Sequence, residues 1–379
     1  MKFFFICGSL QAGSDGVGDY VRRLACMLIA NGHQVNAVAL KDHHLAVHED
    51  TVQQLNGIQL PVLRLPATLS SRERYRLLSK KVKSFSPDII SLQYVGFGFQ
   101  KYGLPFEMLS NFRKAVAGVK LHIMLHELWC GMAVNAGFKE KVLGNLQKRF
   151  LKTLITSLKP QHIFTSISPY HDYLKQIQVE ADVVPIFGNI PTNEFGDDKE
   201  WQQFASSKHL SLLTGTAASW LVVGFFGTSY NCPGLKEMIE TVNIAATQAG
   251  LKLGVLLIGH SRVQNVADIL KTIPGAVYWQ TGSVPAPMIN RCMQLVDAGI
   301  VTSPVDGINK SGAAIAWMER GIPVLISASD KTYHEADMKK LGIFQASSVT
   351  NVIEALHAKG KIIPQNYLNQ AAEAYLECI

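Results

Sequence analysis

The 379-residue chain is poor in charge, with 17% Asp, Glu, Lys and Arg against 47% hydrophobic residues, a balance that lets it bury a large core and suits two domains of ordinary size. Other features are missing outright. The six cysteines, at positions 7, 26, 130, 232, 292 and 378, form no C-x-x-C pair and no Cys/His spacing of a zinc site, so a disulfide scaffold and a zinc module are excluded and a reducing cytoplasm is the expected setting. No apolar run reaches bilayer-crossing length, and no Asp-x-Asp metal motif occurs. Nucleic-acid recognition is not expected either, because neither an RNP-like aromatic motif nor a finger pattern is present. The opening MKFFFICGSL is superficially like a signal peptide, but no A-x-A-like cleavage site comes after it and a buried first strand is the better reading.

What the chain does have is a formal charge of +7, which implies an anionic partner or surface. It also has a regular alternation of short β-branched or aromatic runs with amphipathic stretches, the pattern of parallel βαβ units. In the first half the expected strands are KFFFICG, QVNAVAL, DIISLQY, KLHIMLHE, HIFTSIS and ADVVPIF. The alternation restarts at LVVGFFG and continues through LGVLLIGH, AVYWQTG, AGIVTSP and PVLISAS. Thr192 to Ser219 has no strong period and reads as a connection. The pattern implies two doubly wound halves, and ligands of such sheets bind beyond the carboxyl ends of the strands.

The first strand runs into GSLQAGSDGVGDYVRRLA, whose Gly13, Gly16 and Gly18 are spaced G-x-x-G-x-G. The dinucleotide fingerprint G-x-G-x-x-G is not met, and no acidic residue closes the expected unit after the second strand. Two readings stand for this loop: a tight strand-to-helix turn without a ligand, or a phosphate-facing loop whose glycines permit close backbone approach at a helix start.

The stretch GVGDYVRRLACMLIANGHQV, Gly16 to Val35, resembles the N-terminal signature of retaining family-4 glycosyltransferases. Weaker resemblances occur in the family's order at DIISLQY, MLHELW, TSISPY, VVPIFGNIP, FFGT, LLIGH and LVDAGIVTSP, spanning almost the whole chain. The resemblance implies the GT-B fold, two Rossmann-like doubly wound domains facing a cleft. An acceptor domain would cover residues 1–195, with a last helix at about 362–379 crossing back to it, and a nucleotide-sugar domain would cover 215–358. It further implies a donor bound without a metal ion, and transfer with retention by front-face attack.

Several residues take roles by the same resemblance. Gly16 and Val17 would bring backbone amides near the transferred sugar or phosphate, and His126-Glu127, at a strand end, stand where the family's histidine approaches that sugar. A plain packing role for His126 and a structural ion pair for Glu127 are the competing readings. Gly259 and His260 would border the nucleotide, while Thr281-Gly282-Ser283-Val284 resembles the loop whose backbone reads a uracil edge. A UDP-sugar is therefore the expected donor.

Two departures from the family pattern fall in the second half. The family's Glu-X7-Glu pair aligns with Ile308 and Ala316, and its diphosphate-binding Arg and Lys align with Thr228 and a position near Pro233. The expected substitute is Lys310, which immediately precedes the small residues Ser311, Gly312 and Ala313; a compact ammonium beside exposed amides suits a diphosphate. Asp306 and Asn309 would take over hydrogen bonds to the donor sugar.

For the acceptor, a saccharide or lipid-linked saccharide, the clues are two basic stretches at 71–83 and 138–159. In the second, Leu143, Leu146, Phe150, Leu154 and Leu158 form one helical stripe with Lys141, Lys148, Lys152 and Lys159 mostly off it. Either this is a core-packed helix with a solvated basic face, or it meets anionic lipid at the inner membrane face. The expected function is a metal-independent hexosyltransferase of polysaccharide biosynthesis, with glucose the favoured sugar. The alternatives are a nucleotide- or sugar-binding scaffold without turnover and a nucleotide-sugar epimerase.

Overall fold

A computed structural model describes residues 1–132, 136–213, 220–227, 232–259, 264–328 and 335–378, with the side chains of residues 264, 265 and 336 outside that description. The chain divides into two compact units. One comprises Met1–Ile186 and the C-terminal segment from Leu368, the other Phe187–Tyr367. Among the described residues no helix is long and apolar enough to cross a membrane.

The first unit is built on eight strands: β1 (Lys2–Cys7), β2 (Gln34–Asp42), β3 (Glu49–Leu55), β4 (Ile58–Pro66), β5 (Ile89–Tyr94), β6 (Lys120–Leu125), β7 (His162–Thr165) and β8 (Asp182–Val183). Their order is β3-β4-β2-β1-β5-β6-β7-β8, parallel throughout except for the β3–β4 hairpin. Phe3, Phe4, Phe5 and Ile6 are all fully buried, because a parallel strand covered on both faces needs apolar side chains on both. The β3–β4 pair was not among the expected strands. β3, EDTVQQL, is a solvent-facing edge, and β4 carries Pro61 and Pro66. Its turn is Asn56-Gly57, both at positive φ, a two-residue hairpin loop of the kind whose twist matches paired strands.

One face of this sheet is unusually polar. The pairings Ser91↔His122 and Gln93↔Met124, and His122↔His162 and Met124↔Phe164, place Ser91, Gln93, His122 and His162 on one side. His126, next in the β6 alternation, continues that row. The C-terminal helix Tyr367–Glu377 closes over the face through Tyr375, whose ring lies 5.8 Å from Phe5 and 5.0 Å from Phe164.

The second unit has six strands, all parallel: β9 (Trp220–Phe226), β10 (Lys252–Ile258), β11 (Val277–Gln280), β12 (Ala298–Ile300), β13 (Val324–Ile326) and β14 (Ile343–Gln345), in the order β11-β10-β9-β12-β13-β14. In both units the order reverses direction beside the first strand, between β1 and β5 and between β9 and β12. These are the switch points where loops from adjacent strands part and leave a crevice. Part of the expected connection, 192–219, is helical: Asp198–Ser207 forms a helix capped by Asp197, whose carboxylate accepts from the amides of Lys199 and Glu200.

His122 gives the polar face a measurable signature. It is fully buried, and neither ring nitrogen has a hydrogen-bond partner among the described residues. Burial first, then the neighbouring His162 and Lys120, pushes its imidazole down from 6.5 to about 4. The unfolded chain therefore takes up this proton as pH falls through the window from 6.5 to about 4, while the fold resists it. The stabilisation is complete above the window and lost progressively within it, in total about 3 kcal/mol. His122→Phe is expected to remove that part of the acid sensitivity, seen as a flatter dependence of urea-unfolding free energy on pH across the window.

Candidate functional site

In the second unit the crevice at the switch point is formed by the segments that leave β9 and β12 at their carboxyl ends. β9 ends at Phe226 and leads to Gly227, whose amide donates to the Ile258 carbonyl at 3.1 Å. β12 leads through Ser303 and Pro304 into the 3-10 turn Val305–Lys310 and then the short helix Gly312–Met318. Ser303 donates to the Ser311 hydroxyl at 3.1 Å, tying the beginning and end of this excursion together. Between them lies a cavity of about 520 Å³, lined by Phe226, Gly227, Ser303, Pro304, Gly307, Lys310, Ser311, Gly312 and Ala313. Its wall is mostly small residues, so backbone is exposed to any occupant, and Lys310 is the cation among the lining side chains. A nucleotide-sized ligand falls within the usual range for such cavities.

The short helix is held there by Trp317, which is fully buried. Gly224 of β9 and Gly299 of β12 are paired in register, and together they make a floor for the indole. A Cβ at residue 299 would stand 2.5 Å from three ring atoms, and one at residue 224 would stand 2.8 Å from the ring. Only glycine leaves room for a flat ring on two adjacent strands at this depth. Ile308 and Ala316, the positions aligned with the family's glutamates, are buried apolar side chains.

The other residues expected on this unit lie at different places. Asp306 and Asn309 are solvent-exposed on the 3-10 turn and are not part of the cavity lining. Gly259 is buried at the end of β10, where its amide donates to Thr281 Oγ1 at 3.0 Å and it bridges to Gly282. That bridge holds the loop bearing the exposed Ser283 and half-buried Val284 beside β10. Thr228 and His260 lie outside the described residues.

In the first unit the loop after β1 is tied down on both sides. Asp42, at the end of β2 and fully buried, accepts from the Leu10 amide at 3.3 Å and from Arg64 Nε at 2.9 Å. Arg64 in turn donates to Gln11 Oε1 at 2.6 Å. Burial alone would raise the Asp42 carboxyl, but Arg64 and the His44 and Leu10 amides outweigh it and hold the group below its ordinary value. The helix Gly16–Ala30 packs directly on this loop, since a Cβ on Gly18 would stand 2.5 Å from the Ser9 carbonyl oxygen. Gly16 is exposed and Val17 half-buried. The Asp15 carboxylate caps the helix, accepting from Gly18 N at 2.7 Å and also from the Val17 amide. A side-chain carboxylate thus occupies the Val17 amide, one of the two that the sequence suggested for a phosphate. Burial, the largest influence, raises the Asp15 carboxyl.

His126 is buried at the end of β6, with its backbone amide on the Tyr94 carbonyl at 3.1 Å. Its Nε2 lies 2.8 Å from Gln93 Oε1, and the Tyr20 ring meets it edge-on at 4.8 Å. Glu127 is exposed. Gln93, Ser91, Tyr20 and Tyr375 were not singled out by motif. Gln93 carried a readable signal, a polar residue inside the otherwise apolar run of DIISLQY. Tyr375 carried none, because its place depends on where the C-terminal helix docks.

The paired-glycine floor is directly testable. Gly299→Ala is expected to destabilise the second unit by about 1–3 kcal/mol, the range for overpacking a tight core, because a rigid indole and not a flexible chain end must give way. Thermal melts report the loss, and Trp317→Leu in the same background is expected to recover part of it.

No protein-family profile and no curated protein matches the sequence. Solved structures do match in fold. The chain superposes along its full length on the catalytic domain of starch synthase IV from Arabidopsis thaliana, bound to ADP and acarbose, with TM-score 0.51, 14% identity and 98% of that chain covered. On the lipopolysaccharide outer core galactosyltransferase WaaB it does so with TM-score 0.53, 11% identity and both chains fully covered. UDP-GlcNAc 2-epimerase from Neisseria meningitidis, bound to UDP-GlcNAc, gives TM-score 0.55 and 12% identity over all of this chain and 99% of the other. At such identities the likeness speaks for architecture, and the architecture is the GT-B fold, two parallel-sheet α/β domains.

Proposed function

We propose that the protein is a retaining, metal-independent glycosyltransferase that moves a hexose, glucose by preference, from a UDP-sugar to a saccharide or lipid-linked saccharide in polysaccharide assembly. The observation that carries this reading is the cavity at the β9–β12 switch point, walled by small residues with Lys310 beside Ser311, Gly312 and Ala313. Departure of a nucleoside diphosphate needs its growing charge stabilised and the reactants held in place, and exposed amides with one ammonium supply the first of these. The leaving diphosphate then helps to deprotonate the attacking acceptor hydroxyl, so no strong general base is required. Gly259, Ser283 and Val284 would border the nucleoside, and Asp306 and Asn309 remain the proposed donor-sugar contacts beside the cavity. His126 and Glu127 are proposed to act on the transferred sugar.

UDP is expected to raise the melting temperature by mass action with EDTA present. Lys310→Ala should weaken UDP binding by about 1.5–3 kcal/mol, the range for a hydrogen bond to a charged group, and leave uridine binding nearly unchanged. UDP affinity equal to wild type in that variant would remove Lys310 from the diphosphate site. A second reading, epimerisation of a UDP-sugar, is favoured by the likeness to UDP-GlcNAc 2-epimerases. Incubation with UDP-sugar and no acceptor separates the two, since an epimerase converts the sugar while it stays attached to UDP.

To reach a lipid-linked acceptor we propose that the helix Phe138–Leu158 meets an anionic bilayer surface. Its buried side is Gly144, Gln147, Phe150, Leu151 and Leu154, so the stripe expected from sequence is only partly core. Leu146 is 49% exposed, and with Phe138 at 82% and Val142 at 45% it forms a solvent-facing apolar row at i, i+4 and i+8. Lys139, Lys141, Arg149 and Lys152 are exposed around it. The stretch 71–83 supports this less, because Arg74 donates to the Leu69 carbonyl at 2.6 Å, Arg76 pairs with Glu73 at 2.6 Å, and Lys81 pairs with Asp50 at 2.6 Å. Co-sedimentation with vesicles containing phosphatidylglycerol should fall about tenfold or more in Phe138→Ser/Leu146→Ser and decline with added salt. Equal binding to neutral vesicles would count against the electrostatic part.

A further inference from the structure

We infer that Gln93 and the Tyr375 hydroxyl form a positioning clamp that holds the His126 imidazole as its Nε2–H tautomer. Gln93 is fully buried on β5, so each of its polar atoms must be satisfied from within. Its amide nitrogen has two protons and two acceptors: Ser91 Oγ at 2.7 Å and the Tyr375 hydroxyl oxygen at 2.8 Å. That leaves Oε1, an acceptor only, facing His126 Nε2 at 2.8 Å. Hydrogen bonding across that gap requires the proton to sit on Nε2. Turning the amide over would aim one proton pair at a single imidazole nitrogen and set its oxygen against both hydroxyls, leaving a buried N–H without a partner in this network. Proton accounting therefore selects one orientation of the amide and, through it, one tautomer.

The clamp is assembled from separate parts of the chain. Ser91 and Gln93 come from β5 and His126 from the end of β6, while Tyr375 belongs to the C-terminal helix. Tyr20, from the first helix, sets its ring edge on the imidazole and lies within electrostatic reach of Tyr375. Among the described residues, the titratable groups next to it are these two phenols, the His122 ring 6.4 Å from that of Tyr375, and the Cys378 thiol. Burial pushes the Tyr375 hydroxyl up to about 12 and raises that of Tyr20, so both are neutral at physiological pH. Glu127, the adjacent carboxylate in sequence, is exposed. The C-terminal helix acts at a distance on a site residue: Tyr375 is a positioning group that works through Gln93.

The inference takes His126 as a site residue from the transferase reading, but its first test needs no turnover. Nitrogen-15 NMR of the full chain, labelled at histidine and assigned with His126→Gln, should show a proton on Nε2 and none on Nδ1 at neutral pH. In Gln93→Glu the carboxylate accepts from the same nitrogen and favours the imidazolium, so the His126 titration should move up by a pH unit or more. Gln93→Met should lose the single tautomer, and Tyr375→Phe should weaken the preference without abolishing it. If UDP-sugar hydrolysis is measurable, its pH profile should move with the NMR titration in Gln93→Glu. Finding the proton on Nδ1, or an unchanged tautomer and titration in both Gln93 variants, would overturn the clamp. Absence of UDP binding with the tautomer result intact would instead overturn the transferase reading alone. Gln93→Glu and Tyr375→Phe keep the side-chain volume, so the test survives if Gln93→Met fails to fold.

Discussion

The second unit depends on a steric constraint: an indole ring must lie flat on two neighbouring parallel strands. Gly224 and Gly299 face each other in register and have no side chains, and Trp317 fills the space they leave. Burying so large a ring is worth several kcal/mol in apolar contact, more than the conformational cost of two glycines in strands. Its consequence is positional. The helix carrying Trp317 begins at Gly312, so seating the ring fixes where Ser311, Gly312 and Ala313 stand relative to the end of β9. The cavity wall is therefore set largely by core packing, with the Ser303–Ser311 hydroxyl bond closing it.

The first unit solves the same problem with polar groups. Its loop after β1 is fastened by Asp42 and Arg64, a buried pair whose geometry is completed by the Leu10 amide and Gln11. Such a pair adds little net stability, since both charges lose their water, but it makes alternative loop positions costly. The polar row on β5, β6 and β7 has the same character. Ser91, Gln93 and Tyr375 satisfy one another, whereas His122 is left with unbonded nitrogens and must remain neutral. An apolar row would be more stable and less specific about how the C-terminal helix docks.

Most strands were legible because parallel strands covered on both faces read as continuous apolar runs, as in KFFFIC and KLGVLLI. The β3–β4 hairpin escaped because EDTVQQL is polar and prolines interrupt its partner, although Asn56-Gly57 was a local signal for the turn. The helix Asp198–Ser207 was similarly announced by Asp197 with Glu200 three residues on. In the long helix, periodicity found a stripe but set it off from the buried side, because Phe138, Val142 and Leu146 are apolar and exposed together. Lys310 to Ala313 could be read as a group because charge and small residues are adjacent in sequence. Gly224 and Gly299 could not be read that way, because the reason for them lies in a ring from another segment.

The two units thus handle charge in opposite ways. In the second, a wall of small residues leaves backbone and the Lys310 ammonium at the cavity. In the first, the helix start that sequence suggested for phosphate is already occupied by the Asp15 carboxylate, which accepts from the Val17 and Gly18 amides. An anion approaching there would have to displace that cap or bind while it is protonated, and burial, by raising the Asp15 carboxyl, makes the protonated form easier to reach than in an exposed aspartate. A hydroxyl can donate to such a carboxylate without displacing the cap's charge. Charge is thus met by a carboxylate of the chain itself at the helix start of the first unit and by a lysine beside small residues at the cavity of the second, an asymmetry that arises from the side chains already in place.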